Sequence, residues 1–197
     1  MLKRLAFVAV VVMVSFMAVA CATQKAPAEA AITAAETALN AAKGEAVKFV
    51  PDQVKGVEDA LAAAKDSFAK GDYQAALTAA QALPAQVSAL TAAATAKKDE
   101  LTKSWTSLSE GLPKVVEAIQ NRVNMLAKAK KLPATIDKAK FASAQDGLKT
   151  ITQTWAEATT AFGAGNLQDA VAKAEIVKTR AAEVLGFLGM PVPAGLQ

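Results

Sequence analysis

Residues 61–80, LAAAKDSFAKGDYQAALTAA, carry the signal of a complete helical hairpin. Gly71 is a helix stop, and Asp72 directly after it is an N-cap for a second helix. Apolar residues approach this turn with alternating spacings of three and four, the pattern of helices packed in a bundle; they are Val54, Val57, Leu61, Ala64 and Phe68. The stretch therefore predicts two antiparallel helices joined by a tight turn.

The same pattern recurs 94 residues later in the chain. Of the 27 residues from Val54 to Ala80, eight are identical in the second copy, which runs from Leu148 to Ala174. The Phe, Gly and Gln at the turn recur in the same frame, and the N-cap changes only from Asp to Asn. Chance alignment of alanine-rich helices does not explain this combination, so the sequence favours an internal duplication.

Extending the periodicity in both directions predicts an all-α protein, an antiparallel bundle of about six helices arranged as two duplicated three-helix units. The spacing leaves open whether Pro84 kinks or breaks the third helix, and whether the units form one bundle or two lobes. The expected helices are 27–49, 51–70, 73–111, 113–131, 135–162 (N-cap Thr135) and 167–188. Alanine, the best helix former, supplies 48 of the 197 residues.

The turn resembles the hairpin of tetratricopeptide repeats over about 20 residues, through Ala64, Phe68, Gly71 and Ala76, with a weaker echo from Ala158 to Val171. That family repeats about every 34 residues, whereas this chain repeats at 94. The resemblance therefore implies a helical hairpin and does not imply a peptide-binding groove.

The beginning of the chain has the order of a secretory signal peptide. Lys3 and Arg4 precede an apolar run of about 13 residues, which is shorter than the roughly 20 that a membrane span needs. Ala18-Val19-Ala20-Cys21 then resembles the lipobox of bacterial lipoproteins, although that family most often has leucine where Ala18 stands. The resemblance implies cleavage before Cys21 and acylation of this cysteine, the only one in the chain. An uncleaved helix with a buried Cys21 is the alternative.

These features divide the chain into a signal peptide (1–20), a lipidated cysteine with a short tether (21–29), helical unit 1 (30–111), helical unit 2 (112–190) and a tail (191–197). In enterobacterial lipoproteins an aspartate after the cysteine commonly signals inner-membrane retention. Ala22 stands there instead, which by resemblance favours the outer membrane, facing the periplasm.

Composition and motifs argue against several functional classes. Loss of Lys3 and Arg4 leaves a net charge near +2, which is no nucleic-acid signature. The chain has no histidine, so the usual nucleophile–base pairs cannot form, and its carboxylates are scattered. We therefore expect no catalytic residue, no metal site and no cofactor, and we do not expect an enzyme.

Two surface features have both a structural and a functional interpretation. The densest basic run could compensate a helix dipole, or it could contact an anionic surface; its members are Lys128, Lys130, Lys131, Lys138 and Lys140. Trp155 lies on the apolar face of the fifth expected helix (135–162) and is expected in the core. Trp105 could be core or a partner contact.

The sequence as a whole predicts a membrane-anchored lipoprotein of the cell envelope that acts as a non-catalytic structural or protein-interaction module. It would be held by N-terminal acyl chains and would engage an envelope protein that the sequence does not identify. The alternative is a carrier that binds a lipid or small apolar ligand between alanine-lined helices.

Overall fold

A computed structural model describes residues 2–196, with side chains described from residue 24 onward. Within this range the chain is a helical bundle protein, 87% helix with no strand, which confirms the all-α prediction. Its helices are α1 (Leu2–Phe49), α2 (Pro51–Ala69), α3 (Tyr73–Lys128), α4 (Lys138–Gly163) and α5 (Leu167–Phe187), followed by a 3₁₀ turn at Ala194–Leu196.

The described residues thus form five α-helices rather than the expected six. The predicted third and fourth helices are one helix, α3, which continues through Pro84, Gly111 and Pro113. Leu108 and Leu112, on either side of Gly111, are 8% and 1% exposed. Burial of both side chains favours a continued helix over the break that glycine and proline favour locally.

Two helix starts also differ from the sequence-based expectation. The N-cap of α4 is Asp137 rather than Thr135, because the Asp137 carboxylate accepts a 2.7 Å hydrogen bond from the backbone N–H of Lys140. Helix α1 was expected to begin at Pro27, but it includes the residues before this proline, which lies in its interior.

The chain divides into two compact units, residues 1–97 and 98–197. In the first unit α1 packs against α2. Among the residues whose side chains are described, Ala28 is the first on the buried face of α1, and the face of α2 is the predicted seam through Ala64. The beginning of α3 adds further buried residues to this unit: Ala76, Ala80, Leu83, Val87, Leu90 and Ala94.

In the second unit α4 packs closely against α5. Gly147 of α4 faces Val184 of α5, and a Cβ built on Gly147 would overlap the Val184 Cγ2 atom. Val184 is fully buried. This glycine therefore allows the two helices to approach more closely than any larger residue would.

The turns before α3 and α5 have the same backbone hydrogen bonds. The N–H of Gly71 donates to the carbonyl of Phe68 (3.0 Å), and that of Gly165 donates to the carbonyl of Phe162 (2.9 Å). Both glycines have positive φ, 83° and 77°. The next residue caps the following helix in both turns, since Asp72 accepts from Ala75 N (3.1 Å) and Asn166 from Asp169 N (3.3 Å).

Candidate functional sites

The lysine cluster, defined as Lys128, Lys130, Lys131, Lys138 and Lys140, surrounds the connection between α3 and α4. All five residues are exposed. None of their side chains forms an ion pair or hydrogen bond with any residue that the structure describes. Most lysines elsewhere do have a carboxylate partner, such as Lys65 with Glu36 at 2.8 Å and Lys70 with Asp66 at 2.6 Å. The cluster is therefore a concentration of uncompensated positive charge.

The position of these lysines relative to the helix dipoles separates them into two groups. Lys128 is in the last turn of α3, where a cation is favourable. Lys138 and Lys140 are in the first turn of α4, which contains no acidic residue. A cation there opposes the positive end of the helix dipole and costs about 0.3–1 kcal/mol. Dipole compensation thus accounts for Lys128 but not for the pair on α4.

Apolar residues accompany the lysine cluster. A shallow pocket of about 570 Å³ at the α3–α4 connection is lined by Lys130, Lys131 and Lys138 together with Leu132 and Phe141, among others. Met125 precedes Lys128 by three residues on α3 and is 62% exposed. Residues three apart lie on one face of a helix, so Met125 and Lys128 share a face. Sequence periodicity did not single out Met125.

Trp105 is stacked between two aromatic rings of α4. Its ring lies 5.7 Å from Trp155 and 4.6 Å from Phe162, with interplanar angles of 9° and 11°. Trp155 and Phe162 are two helical turns apart, about 10.5 Å along the axis. The two centroid distances together match that rise, which places the Trp105 ring between the others. Trp105 is 7% exposed, so little of its surface is accessible to a partner.

The second unit also contains an open cleft of about 770 Å³ that sequence reasoning missed. It is bounded by α3, α5 and the final segment of the chain. Leu108, Leu112 and Leu196 contribute apolar surface, while Lys103 and Lys178 contribute charge. Three segments far apart in sequence form this cleft, so no local motif indicates it.

One ion pair joins α4 to α5. Lys173 Nζ lies 3.2 Å from Glu157 Oε2 and 3.7 Å from Asp169 Oδ1. The hydrogen bond with Glu157, and then the Asp169 charge, raise the pKa of Lys173. The pKa of Glu157 is lowered by the hydrogen bonds from Lys173 and then Gln153. These shifts belong to a salt bridge between helices and do not resemble an acid–base site.

The anchor expected at Cys21 lies outside the residues whose side chains are described, so its acylation stays a prediction. Within the described part of the chain, no group of histidine, cysteine or acidic residues could hold a metal ion. No helix in that part has the length and apolarity to cross a membrane.

Comparison with known protein families, with curated proteins and with solved structures gives no match to this chain.

Proposed function

We propose that this protein is an exported bacterial lipoprotein, anchored through acyl chains on Cys21, whose helical body is a non-catalytic structural or protein-interaction module. The observation that carries the proposal is the order of cationic start, apolar run and Ala18-Val19-Ala20-Cys21. Each buried acyl methylene contributes about 0.8 kcal/mol, so two or three chains hold a protein stably on a bilayer. Ala22 after the cysteine supports the outer membrane as the location, with the body in the periplasm.

Buried residues of the described part of α1 lie close in sequence to the proposed anchor. Ala28 is fully buried, and Ile32 and Ala35 continue the same face of α1 with 8% and 1% exposure. Only six residues lie between Cys21 and Ala28, and the seven steps from one to the other reach about 23 Å even if fully extended. The module would therefore act near its bilayer rather than at the end of a long tether.

We also propose that the body arose by duplication of a three-helix unit. Supporting this, the two glycine turns share their hydrogen bonds at a shift of 94 residues. Buried positions also correspond at that shift: Leu83, Val87, Leu90 and Ala94 correspond to Val177, Ala181, Val184 and Leu188. Two related units in one chain would offer two similar surfaces to envelope proteins.

A ligand carrier is the second candidate function. The cleft bounded by α3, α5 and the end of the chain favours it, because a lining that contains both leucines and lysines suits an amphiphilic anion such as a fatty acid. The module remains preferred, since the cleft is open and its lysines are accompanied by Glu110 and Glu175.

Intact-mass analysis of protein extracted from its native host tests the anchor. We expect a chain beginning at Cys21 with added acyl mass, and a Cys21→Ser variant without it. An unmodified N-terminus on the wild-type protein would refute the proposal.

In-cell crosslinking followed by mass spectrometry distinguishes the two functions. A reproducible crosslinked envelope protein supports the module, whereas a stoichiometric lipid in the native mass spectrum of the purified protein supports the carrier. Reproducible turnover of a substrate by the purified protein would contradict both.

A further inference from the structure

We propose that the lysine cluster is a second membrane contact, which binds the anionic headgroups of the bilayer that holds the acyl chains. The inference rests on the proposed function, because the acyl anchor is what brings the cluster to a membrane surface. It adds a defined contact surface and a defined lipid chemistry to the anchor.

The absence of local partners is the first argument. Between Arg122 and Asp146 the only acidic residue is Asp137, whose Oδ1 accepts from the backbone N–H of Lys140 and whose carboxylate forms no ion pair with a lysine of the cluster. The five lysines therefore present their charge to an external anion. Each lysine near an anionic bilayer raises the equilibrium constant for membrane contact about fivefold, so several lysines together are sufficient to bind such a surface.

The unfavourable position of Lys138 and Lys140 is the second argument. Both lie at the positive end of the α4 dipole, where an acidic residue would stabilise the helix. These two unpaired cations therefore do not contribute to the stability of α4, whose N-cap carboxylate, Asp137, forms no ion pair with either. Their presence is explained if an anion outside the protein compensates them.

The apolar residues favour a membrane over a soluble polyanion. Met125 is exposed on the same face of α3 as Lys128, and Leu132 and Phe141 are half-buried at the adjacent pocket. Lysines interspersed with such side chains are typical of surfaces that lie at the headgroup boundary.

The test uses the full lipidated protein on vesicles and a fluorophore on one introduced cysteine. Ala134→Cys places it beside the cluster, and Ala164→Cys places it at the other end of α4, a helix about 39 Å long. The vesicles contain a headgroup spin-labelled quencher in phosphatidylcholine, with or without one third phosphatidylglycerol. We expect strong quenching at position 134 and weak quenching at 164, only with phosphatidylglycerol. About 1 M salt should abolish the difference, because the Debye length falls to about 3 Å.

Two sets of lysine-to-glutamine substitutions, one in the cluster and one outside it, supply the variant and its matched control. The fivefold variant Lys128→Gln, Lys130→Gln, Lys131→Gln, Lys138→Gln and Lys140→Gln should reduce quenching at position 134 to the level at position 164. Glutamine at five lysines that have carboxylate partners changes the net charge equally and should leave quenching intact; these are Lys48, Lys55, Lys65, Lys70 and Lys149. If a glutamine variant folds poorly, the test still stands on the salt dependence of quenching in the labelled protein that keeps all five lysines of the cluster.

The outcomes separate this inference from the proposed function. Protein that does not float with vesicles, or whose native Cys21 reacts with the fluorophore, contradicts the lipid anchor itself. Protein that floats but shows equal quenching at positions 134 and 164 contradicts only the membrane contact. A response of the position 134 probe to soluble polyphosphate, without dependence on phosphatidylglycerol, would overturn it in favour of a soluble polymer ligand.

Discussion

Gly147→Ala should destabilise the second unit, although alanine is the better helix former. Removing a helical glycine gains about 1 kcal/mol in propensity. At this site, however, the new Cβ would lie far inside the roughly 3.5 Å at which carbon atoms make contact with Val184 Cγ2. Val184 is fully buried and β-branched, so it cannot rotate away without strain. Overpacking costs about 1–3 kcal/mol, which leaves a net loss of about 1 kcal/mol.

Gly111→Ala is the matched control, because Gly111 is also an interior helix residue of the second unit and a Cβ added there would meet nothing within 4 Å. It should stabilise by about 1 kcal/mol. The chain has two tryptophans, Trp105 and Trp155, and both belong to the second unit. Urea unfolding followed by tryptophan fluorescence therefore reports on the unit that carries both substitutions.

A double-mutant cycle tests whether Val184 is the cause. Val184→Ala removes two methyl groups and should cost about 1.6 kcal/mol in transfer free energy, plus the cavity it leaves. In that background Gly147→Ala should become stabilising, with a coupling of about 1–2 kcal/mol. If Gly147→Ala instead stabilises the wild-type protein as much as Gly111→Ala, or has the same effect in both backgrounds, the close contact between α4 and α5 is not what selects glycine.

Three further changes test other features of the second unit, each by the same urea unfolding experiment. Gly165→Ala should cost about 1–2 kcal/mol because φ is positive there, while Gly163→Ala, where φ is not, should cost nothing. Asp137→Ala removes the N-cap of α4 and should cost about 1 kcal/mol, whereas Asp137→Asn should retain most of the stability. Glu157→Gln should be less stable than wild type at neutral pH, and the difference should begin to shrink below about pH 4.3 and vanish below the lowered pKa of Glu157. The sign follows from the lowered pKa of Glu157: its contribution is present above the ordinary pKa and is lost as the pH falls through the lowered one. The raised pKa of Lys173 keeps this side chain charged up to alkaline pH. If the stability difference between Glu157→Gln and wild type stays the same at low pH, the salt bridge has no role in stability.

The sequence predicts the hairpin turns well because their causes are local. A glycine with positive φ and an N-cap residue directly after it are sufficient to end one helix and begin the next. Helix α2 was expected at 51–70 and is observed at Pro51–Ala69, and α5 begins directly after its predicted cap, Asn166. These elements need no information from distant parts of the chain.

The candidate sites were predictable only to the extent that they are continuous in sequence. The lysine cluster spans 13 residues and could be recognised from composition, although its lack of ion-pair partners could not. The stack of Trp105 between Trp155 and Phe162 joins residues about 50 apart in sequence. The i,i+7 spacing of the two α4 rings was a usable signal, but nothing local indicates which third ring lies between them.

The continuity of α3 shows where propensity and packing compete. An interior proline costs about 3 kcal/mol, so Pro84 alone is a strong argument for a break. Leu83 and Val87 beside it are 1% and 8% exposed, and each such burial contributes about 1.5–3 kcal/mol. The apolar seam around Pro84 thus offsets the lost hydrogen bond only while the helix keeps both side chains on the same face. A break would move one of them out of register, which is why the periodicity, and not the proline, was the better guide to this helix.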